Sequence, residues 1–266
     1  MNKNEVVVLV PHYNDTSGLI ISLQSIDASE NVDVLVVDDG SCYNKIDEEE
    51  LKDHFKANGK MIFLYQEKNK GIEHALNLGL EYILKCDYRF VARLDSGDKC
   101  LSKRFNIQSK YLKNNPKIKL VGSNVIVNDT KGNLLYKIIL PTDSLLIKNR
   151  MYITSTIIHP TIMFDKEIIK EVGFYPINYK AAEDYAFYFK ILKKYDFSNI
   201  NEFLLEKELS PNSISVQKRK LQAYNRLKVI LDNFYFGYYP IFGLIRNFIL
   251  LIVPNKILIF IKRVMK

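Results

Sequence analysis

The chain opens with short apolar runs separated by longer amphipathic stretches. Residues 6–10 form a β-branched run closed by Pro11, which predicts a strand buried on both faces. From 17 to about 29, apolar positions at Leu19, Ile20, Leu23 and Ile26 follow helical spacing. A second buried strand is predicted at 32–37, ended by Asp38-Asp39-Gly40-Ser41. A helix at 47–57, a strand at 61–65, a helix at 71–85 and a strand at 89–94 continue the alternation. Strands alternating with helices of this length predict an α/β fold with a wound, mostly parallel central sheet flanked by helices. Each strand ends in a polar loop, the edge where open α/β sheets hold their ligands.

After residue 100 the pattern loosens. A helix is predicted at 103–113, with strands at 118–127 and 134–139 parted by the turn Lys131-Gly132-Asn133. A further strand covers 161–164, and a helix runs from Glu183 to about Lys194. Beyond Pro211 come a basic helix and an apolar, aromatic stretch at 234–260. No internal repeat is present.

Charge changes this picture through its placement. Of the net +8, the segment 218–266 carries ten Lys/Arg and one acid, Asp232, while 1–217 holds 28 basic and 29 acidic residues. A nucleic-acid groove puts its basic residues on the folded domain, so no nucleic-acid partner is expected. The stretch 241–253 is apolar but contains Arg246 and Asn247 and is followed by Pro254. A spanning helix needs about 20 apolar residues, so a tail lying on a membrane surface is predicted, with Lys256, Lys262, Arg263 and Lys266 meeting anionic lipid. The alternative is that the apolar residues fold back onto the main domain as core or form a dimer contact. Three cysteines without CxxC spacing suit a reducing cytoplasm and no disulfide or structural zinc. The polar residues 1–5 lead straight into a strand, so no signal peptide is expected.

The candidate chemistry lies at the strand ends. No two of the eleven glycines stand at GxG spacing, and there is no GxxxxGK[ST], so the dinucleotide and P-loop fingerprints are absent. A diphosphate then needs another positive partner, and carboxylates holding a divalent metal are the usual one. Asp95 and Asp98 follow the fourth strand in Arg93-Leu94-Asp95-Ser96-Gly97-Asp98. They suit a hard cation bridging phosphate oxygens, and equally a simple turn. Asp38 and Asp39 suit hydrogen bonds from a base or ribose, or a cap on the next helix. Glu183-Asp184 opens a helix, where acids also favour the dipole. His159-Pro160, between apolar pairs, suits either a structural role or contact with an acceptor.

In order along 5–215, these segments resemble the family-2 inverting glycosyltransferases with the GT-A fold. The resemblance rests on Val-Leu-Val-Pro-His-Tyr-Asn at 8–14, Val-Val-Asp-Asp-Gly-Ser at 36–41 and Asn69-Lys70-Gly71 with Asn77 and Gly79. It continues through Ala92-Arg93-Leu94-Asp95-Ser96-Gly97-Asp98, His159-Pro160-Thr161 and Ala182-Glu183-Asp184-Tyr185. It implies that Pro11, Tyr13, Asp38 and Asp39 hold the base and ribose, with Gly71, Arg93 and Asp95 also on the nucleotide. Asp95 and Asp98 would bind Mg²⁺ or Mn²⁺, and Asp184, with Glu183 beside it, would be the catalytic base. Many relatives read Asp-x-Asp-Asp, and the second acid of that DxD falls on Gly97 here.

The resemblance further implies a UDP-sugar donor and a glycan or lipid-linked acceptor, used in bacterial surface polysaccharide or lipooligosaccharide synthesis. The site of action would be the inner face of the cell membrane. The expected organisation is a catalytic domain at 1–215, its first hundred residues binding nucleotide and the rest acceptor, then a helical tail at 216–266. Two alternatives are a non-catalytic nucleotide-sugar-binding relative and a processive polysaccharide synthase. The latter resemble one another in a QxxRW motif, and this chain has no tryptophan.

Overall fold

A computed structural model describes residues 4–209 and 217–253. The N-terminal β-branched run becomes β1 (Val6–His12), buried on both sides as its lack of alternation demands. Val7 and Leu9 enter one core, and Val6, Val8 and Val10 the other, because successive side chains leave a strand on opposite faces. β1 pairs in parallel with β2 (Val32–Asp38) and β4 (Phe90–Arg93), and β2 with β3 (Met61–Tyr65). The register brings the carboxyl ends level, His12 beside Asp38 and Asp38 beside Tyr65. Chain direction reverses its march across the sheet at β1, which opens a crevice beyond the ends of β1 and β4.

The helices α1 (Thr16–Gln24), α2 (Glu48–His54) and α3 (Ile72–Leu84) connect these strands. Asp15 caps α1 by accepting from Gly18 N–H, and Asp47 caps α2 by accepting from Glu49 and Glu50. α1 stops at Gln24, short of the expected 29. Ser25 caps it, and beyond the cap the Asp27 carboxylate accepts from Ser29 N–H in a turn that leads toward β2.

The second half contains β5 (Lys99–Cys100), α4 (Arg104–Asn114), β6 (Ile118–Asn128), β7 (Leu134–Ile138), α5 (Ser144–Met151) and a 3-10 turn, His159–Thr161. It continues with β8 (Met163–Asp165), α6 (Ile168–Val172), α7 (Glu183–Leu192), β9 (Asp196–Glu208), α8 (Arg219–Asp232) and α9 (Tyr238–Ile252). The sheet order is β3-β2-β1-β4-β8-β6-β9-β5, with β7 on β6. The parallel pattern holds through β4. Beyond it the sheet is mixed, because β8 enters antiparallel between β4 and β6. The strand expected at 161–164 begins at Met163, since Thr161 closes the 3-10 turn by donating its hydroxyl to Ile158 O. α5, α6 and β9 were not expected.

The C-terminal helices are built into this architecture, where a separate tail from 216 was expected. Arg219, at the start of α8, donates to the Leu250 and Val253 carbonyls at the end of α9, so the two helices run antiparallel. Val229 and Ile230 of α8 join the core that contains α7. Arg246 and Asn247 face inward: Arg246 donates to Ile153 O, and Asn247 is buried. The basic residues expected to meet lipid, Lys256, Lys262, Arg263 and Lys266, lie outside the described residues. Among those described, no helix is long and apolar enough to cross a membrane.

Candidate active site

The loops after β1 and β2 form one corner of the crevice. His12 Nε2 accepts the Asp15 N–H at 3.2 Å, so its proton lies on Nδ1 and is donated to Asp38 Oδ1 at 2.8 Å. Ser41 closes the corner through Asp38, its N–H reaching Oδ2 and its hydroxyl Oδ1. Asn14 N–H donates to Ser41 Oγ, and Tyr43 N–H to Asn14 Oδ1, which stitches the two loops together. Tyr13 stands exposed beyond Pro11 at the end of β1, open to stacking with an aromatic base.

Asp39 is committed to the backbone. Its two oxygens accept the Lys70 and Gly71 N–H groups, each at 2.9 Å, and burial raises its pKa. It shapes the loop ahead of α3, and any contact with ribose must share those oxygens. Gly71 has φ +107°, and a Cβ there would stand 2.7 Å from Glu73 Oε2, so the loop's own geometry requires glycine.

Arg93 is a correction to the expected nucleotide contacts. It is fully buried, donating to Leu9 O at 2.8 Å, to Leu94 O and to Asp95 Oδ1. It aims Asp95 and has no surface to offer a ligand. Although burial opposes ionisation of Asp95, Arg93, then Lys207 and His159, bring its pKa below the usual carboxylate value. His159 lies beneath Arg93, its Nε2 2.9 Å from the Tyr175 hydroxyl. Burial, then the Arg93 charge, push its pKa down to about 3. It holds the site from below and is closed to an acceptor. Arg104, also fully buried, ties the same layer together by donating to the Arg93 and Pro160 carbonyls.

The two expected metal acids differ in their surroundings. Asp95 gives one oxygen to Arg93 and keeps 28% of its side chain exposed. Asp98 is buried, and its Oδ2 lacks a hydrogen-bond partner and faces Lys207 Nζ at 3.6 Å. Burial pushes the Asp98 pKa up to about 7 against the pull of Lys207. Among the described residues no three His, Cys, Asp or Glu groups gather as a metal cage. Asp95, partly exposed, can offer Mg²⁺ or Mn²⁺ one carboxylate completed by substrate phosphate, while Asp98 Oδ2 already faces an ammonium. Gly97, with φ +89°, has no atom within 4 Å of where a Cβ would stand, so the place of the second DxD acid is open space.

Glu183 and Asp184 form the first turn of α7. Glu183 is buried, its Oε2 without a partner, and burial followed by the Asp184 charge push its pKa up to about 8. Asp184 is half-buried. Burial raises its pKa as well, while Arg226 of α8 opposes the rise and Tyr185 N–H donates to Oδ1 at 2.7 Å. Burial thus raises both acids, and of the two it is Asp184 that has a cation, Arg226, working against the rise. The field of Asp95 reaches both, so the three carboxylates lie within electrostatic range of one another. Arg226 lies over the Tyr185 ring at 5.2 Å. Asn225 and Gln222 of α8 donate to the Lys180 and Ala181 carbonyls, just before Glu183.

Residues 7–173 match the family described as Glycosyl transferase family 2. The chain belongs to that family. It is therefore a glycosyltransferase. It is 29% identical to an uncharacterised glycosyltransferase of Methanocaldococcus jannaschii, over 98% of this chain and 95% of that one. It is 30% identical to the Escherichia coli UDP-Glc:α-D-GlcNAc-diphosphoundecaprenol β-1,3-glucosyltransferase WfgD, over 81% of each. The mannosyltransferase PcManGT of Pyrobaculum calidifontis, solved with GDP-Man and Mn²⁺, shares the fold at TM-score 0.63 and 15% identity, over 92% of this chain and 69% of that one. The glycosyltransferase thus has the GT-A fold, and a structural neighbour binds nucleotide sugar with Mn²⁺.

Proposed function

We propose that this glycosyltransferase moves a sugar from a UDP-sugar to a hydroxyl of a glycan or lipid-linked acceptor, with inversion, in bacterial surface polysaccharide or lipooligosaccharide synthesis. The observation that carries the reading is the half-buried Asp184 at the start of α7, its carboxylate accepting the Tyr185 N–H, with Glu183 beside it and Asp95 within electrostatic range. In the reaction Asp184 takes the acceptor O–H proton as that oxygen attacks the anomeric carbon. The bond from the anomeric carbon to the diphosphate breaks, and its electron pair leaves with the nucleotide. Mg²⁺ or Mn²⁺ at Asp95 would neutralise the departing diphosphate. Arg93 keeps Asp95 aimed, and Tyr13, Pro11 and the His12–Asp38–Ser41 corner hold the base and ribose end.

The donor is testable by melting the full chain with UDP-Glc, UDP-GlcNAc or GDP-Man and Mn²⁺. At a hundred times Kd a ligand adds about 2.7 kcal/mol, so the right UDP-sugar should raise Tm by about 5 °C or more. If no nucleotide sugar moves the melt, the donor reading fails.

The same proposal puts the enzyme on the inner face of the cell membrane. α9 turns Phe242, Ile245, Phe248, Ile249 and Ile252 to the outside while Arg246 and Asn247 face the protein, and Phe236 before it is 93% exposed. A contiguous apolar face of this kind suits the headgroup boundary, and the basic excess of 218–266 suits anionic lipid. Replacing Phe236 and Phe248 together by Ser should lower partition into phosphatidylglycerol vesicles at least about tenfold, since each buried phenylalanine contributes about 1.5–3 kcal/mol. Vesicle sedimentation checks this, and an unchanged partition would remove α9 from the membrane contact.

A further inference from the structure

Lys207 stands near the end of β9 with its ammonium 3.6 Å from Asp98 Oδ2. The acid is the inner member of this pair, its side chain only 6% exposed, while that of Lys207 keeps 33%. Asp98 is tied to the loop that carries Asp95, its N–H donating to the Asp95 carbonyl at 3.1 Å. Gly97, the residue before Asp98, has open space where a Cβ would stand. The loop and β9 thus bring together the Asp95 carboxylate, an unfilled position at Gly97, and an ammonium close enough to act on both acids.

We infer that Lys207 is a fixed cation of the donor site, contacting the diphosphate, and that Asp98 serves to hold Lys207 and not a metal. The inference rests on the nucleotide-sugar reading above. A divalent cation at Asp98 would have to displace an ammonium already facing Oδ2, or sit within its repulsion. A diphosphate meets the opposite balance. Arg93 is spent on Asp95 and no glycine-rich loop is present, so the exposed part of Lys207 is a positive group placed beside Asp95 that can meet phosphate oxygens. Negative charge on the diphosphate grows as the sugar departs, so a pre-positioned ammonium helps the transition state more than the bound donor. The gap at Gly97 gives the phosphates room to approach. Nucleotide affinity then has a component that survives removal of divalent metal.

The test is calorimetric titration of UDP into the full chain with Mn²⁺ or with EDTA, on wild type, Lys207→Met, Lys207→Arg and the double variant Asp98→Asn/Lys207→Met. The double variant leaves no buried acid stranded, so it separates lost binding from lost folding. Expected are UDP binding by wild type in EDTA, a loss of about tenfold or more in Lys207→Met, substantial recovery in Lys207→Arg, and no recovery in the double variant. Wild-type affinity in Lys207→Met, or its return in the double variant, overturns the role of Lys207. So does a wild type that binds UDP with Mn²⁺ and not at all in EDTA. A wild type that binds neither UDP nor GDP under any condition overturns the donor reading itself.

Discussion

Asp184→Asn should abolish sugar transfer while leaving UDP affinity within about twofold of wild type. The amide keeps the shape of the carboxylate and can still accept the Tyr185 N–H; what it loses is the ability to take a proton. Positioned general bases contribute about 10²–10⁴-fold, so turnover should fall by at least a hundredfold or so. Glu183→Gln should do much less, because burial pushes the Glu183 pKa up to about 8. The pH profile carries the same signature. Asp184 works ionised, and burial raises its pKa, so activity falls with decreasing pH at a point above the ordinary aspartate value of 3.8. Turnover with the donor that stabilises the chain, followed against pH, checks both statements. A variant retaining more than about a tenth of wild-type turnover would displace Asp184 from the chemistry.

Ending the chain at residue 216 should cost the fold, not merely an attachment to membrane. The cut removes Val229 and Ile230 from the core around α7, and each buried aliphatic contributes about 1.5–3 kcal/mol. It also strips the hydrogen bonds from Gln222 and Asn225 to the residues ahead of Glu183, and the edge contact of Tyr235 on Tyr152. Against a total stability of about 5–15 kcal/mol, the truncated chain should be insoluble or melt at least about 10 °C lower. Circular dichroism melts decide it. A soluble fragment melting within a few degrees of the full chain would restore the idea of a detachable tail.

The first half of the fold was readable because its strands are buried on both faces and its helices carry one apolar stripe. Val6, Val8 and Val10 against Val7 and Leu9 leave a strand no other place to go. β9 was not readable. Its Asn199, Asn201, Glu202 and Glu206 break any apolar run, and its pairing with β6 shifts register, so no simple period survives. α5 and α6 are too short to show a stripe. The acids of the candidate site were visible as strand-end and helix-start residues, but their partners were not. Whether Asp98 faces a solvent gap or Lys207, and whether Asp184 faces Arg226, depends on elements distant in sequence. His12 sat inside the Pro-His-Tyr-Asn segment, and only its contacts with Asp38 and Asp15 give it a task. Arg93 is placed at the nucleotide by the family resemblance alone; full burial makes it a support for Asp95.

The parallel pairing of β6 with β9 also orders the events of synthesis. β1 to β3 and the helices between them draw on partners close in sequence, and β4 then completes the first half by pairing with β1. β9 can join β6 only after β7, α5, β8 and α7 have been laid down, and such distant closures are the slow ones. α8 emerges later still and must dock against residues 180 and 181 before the turn bearing Asp184 is braced. A growing chain therefore acquires the loops suited to a nucleotide well before it acquires an arranged base. The bracing of that turn therefore arrives last, with the C-terminal helices, so a chain still short of them has its strands paired before the Glu183–Asp184 turn is held in place.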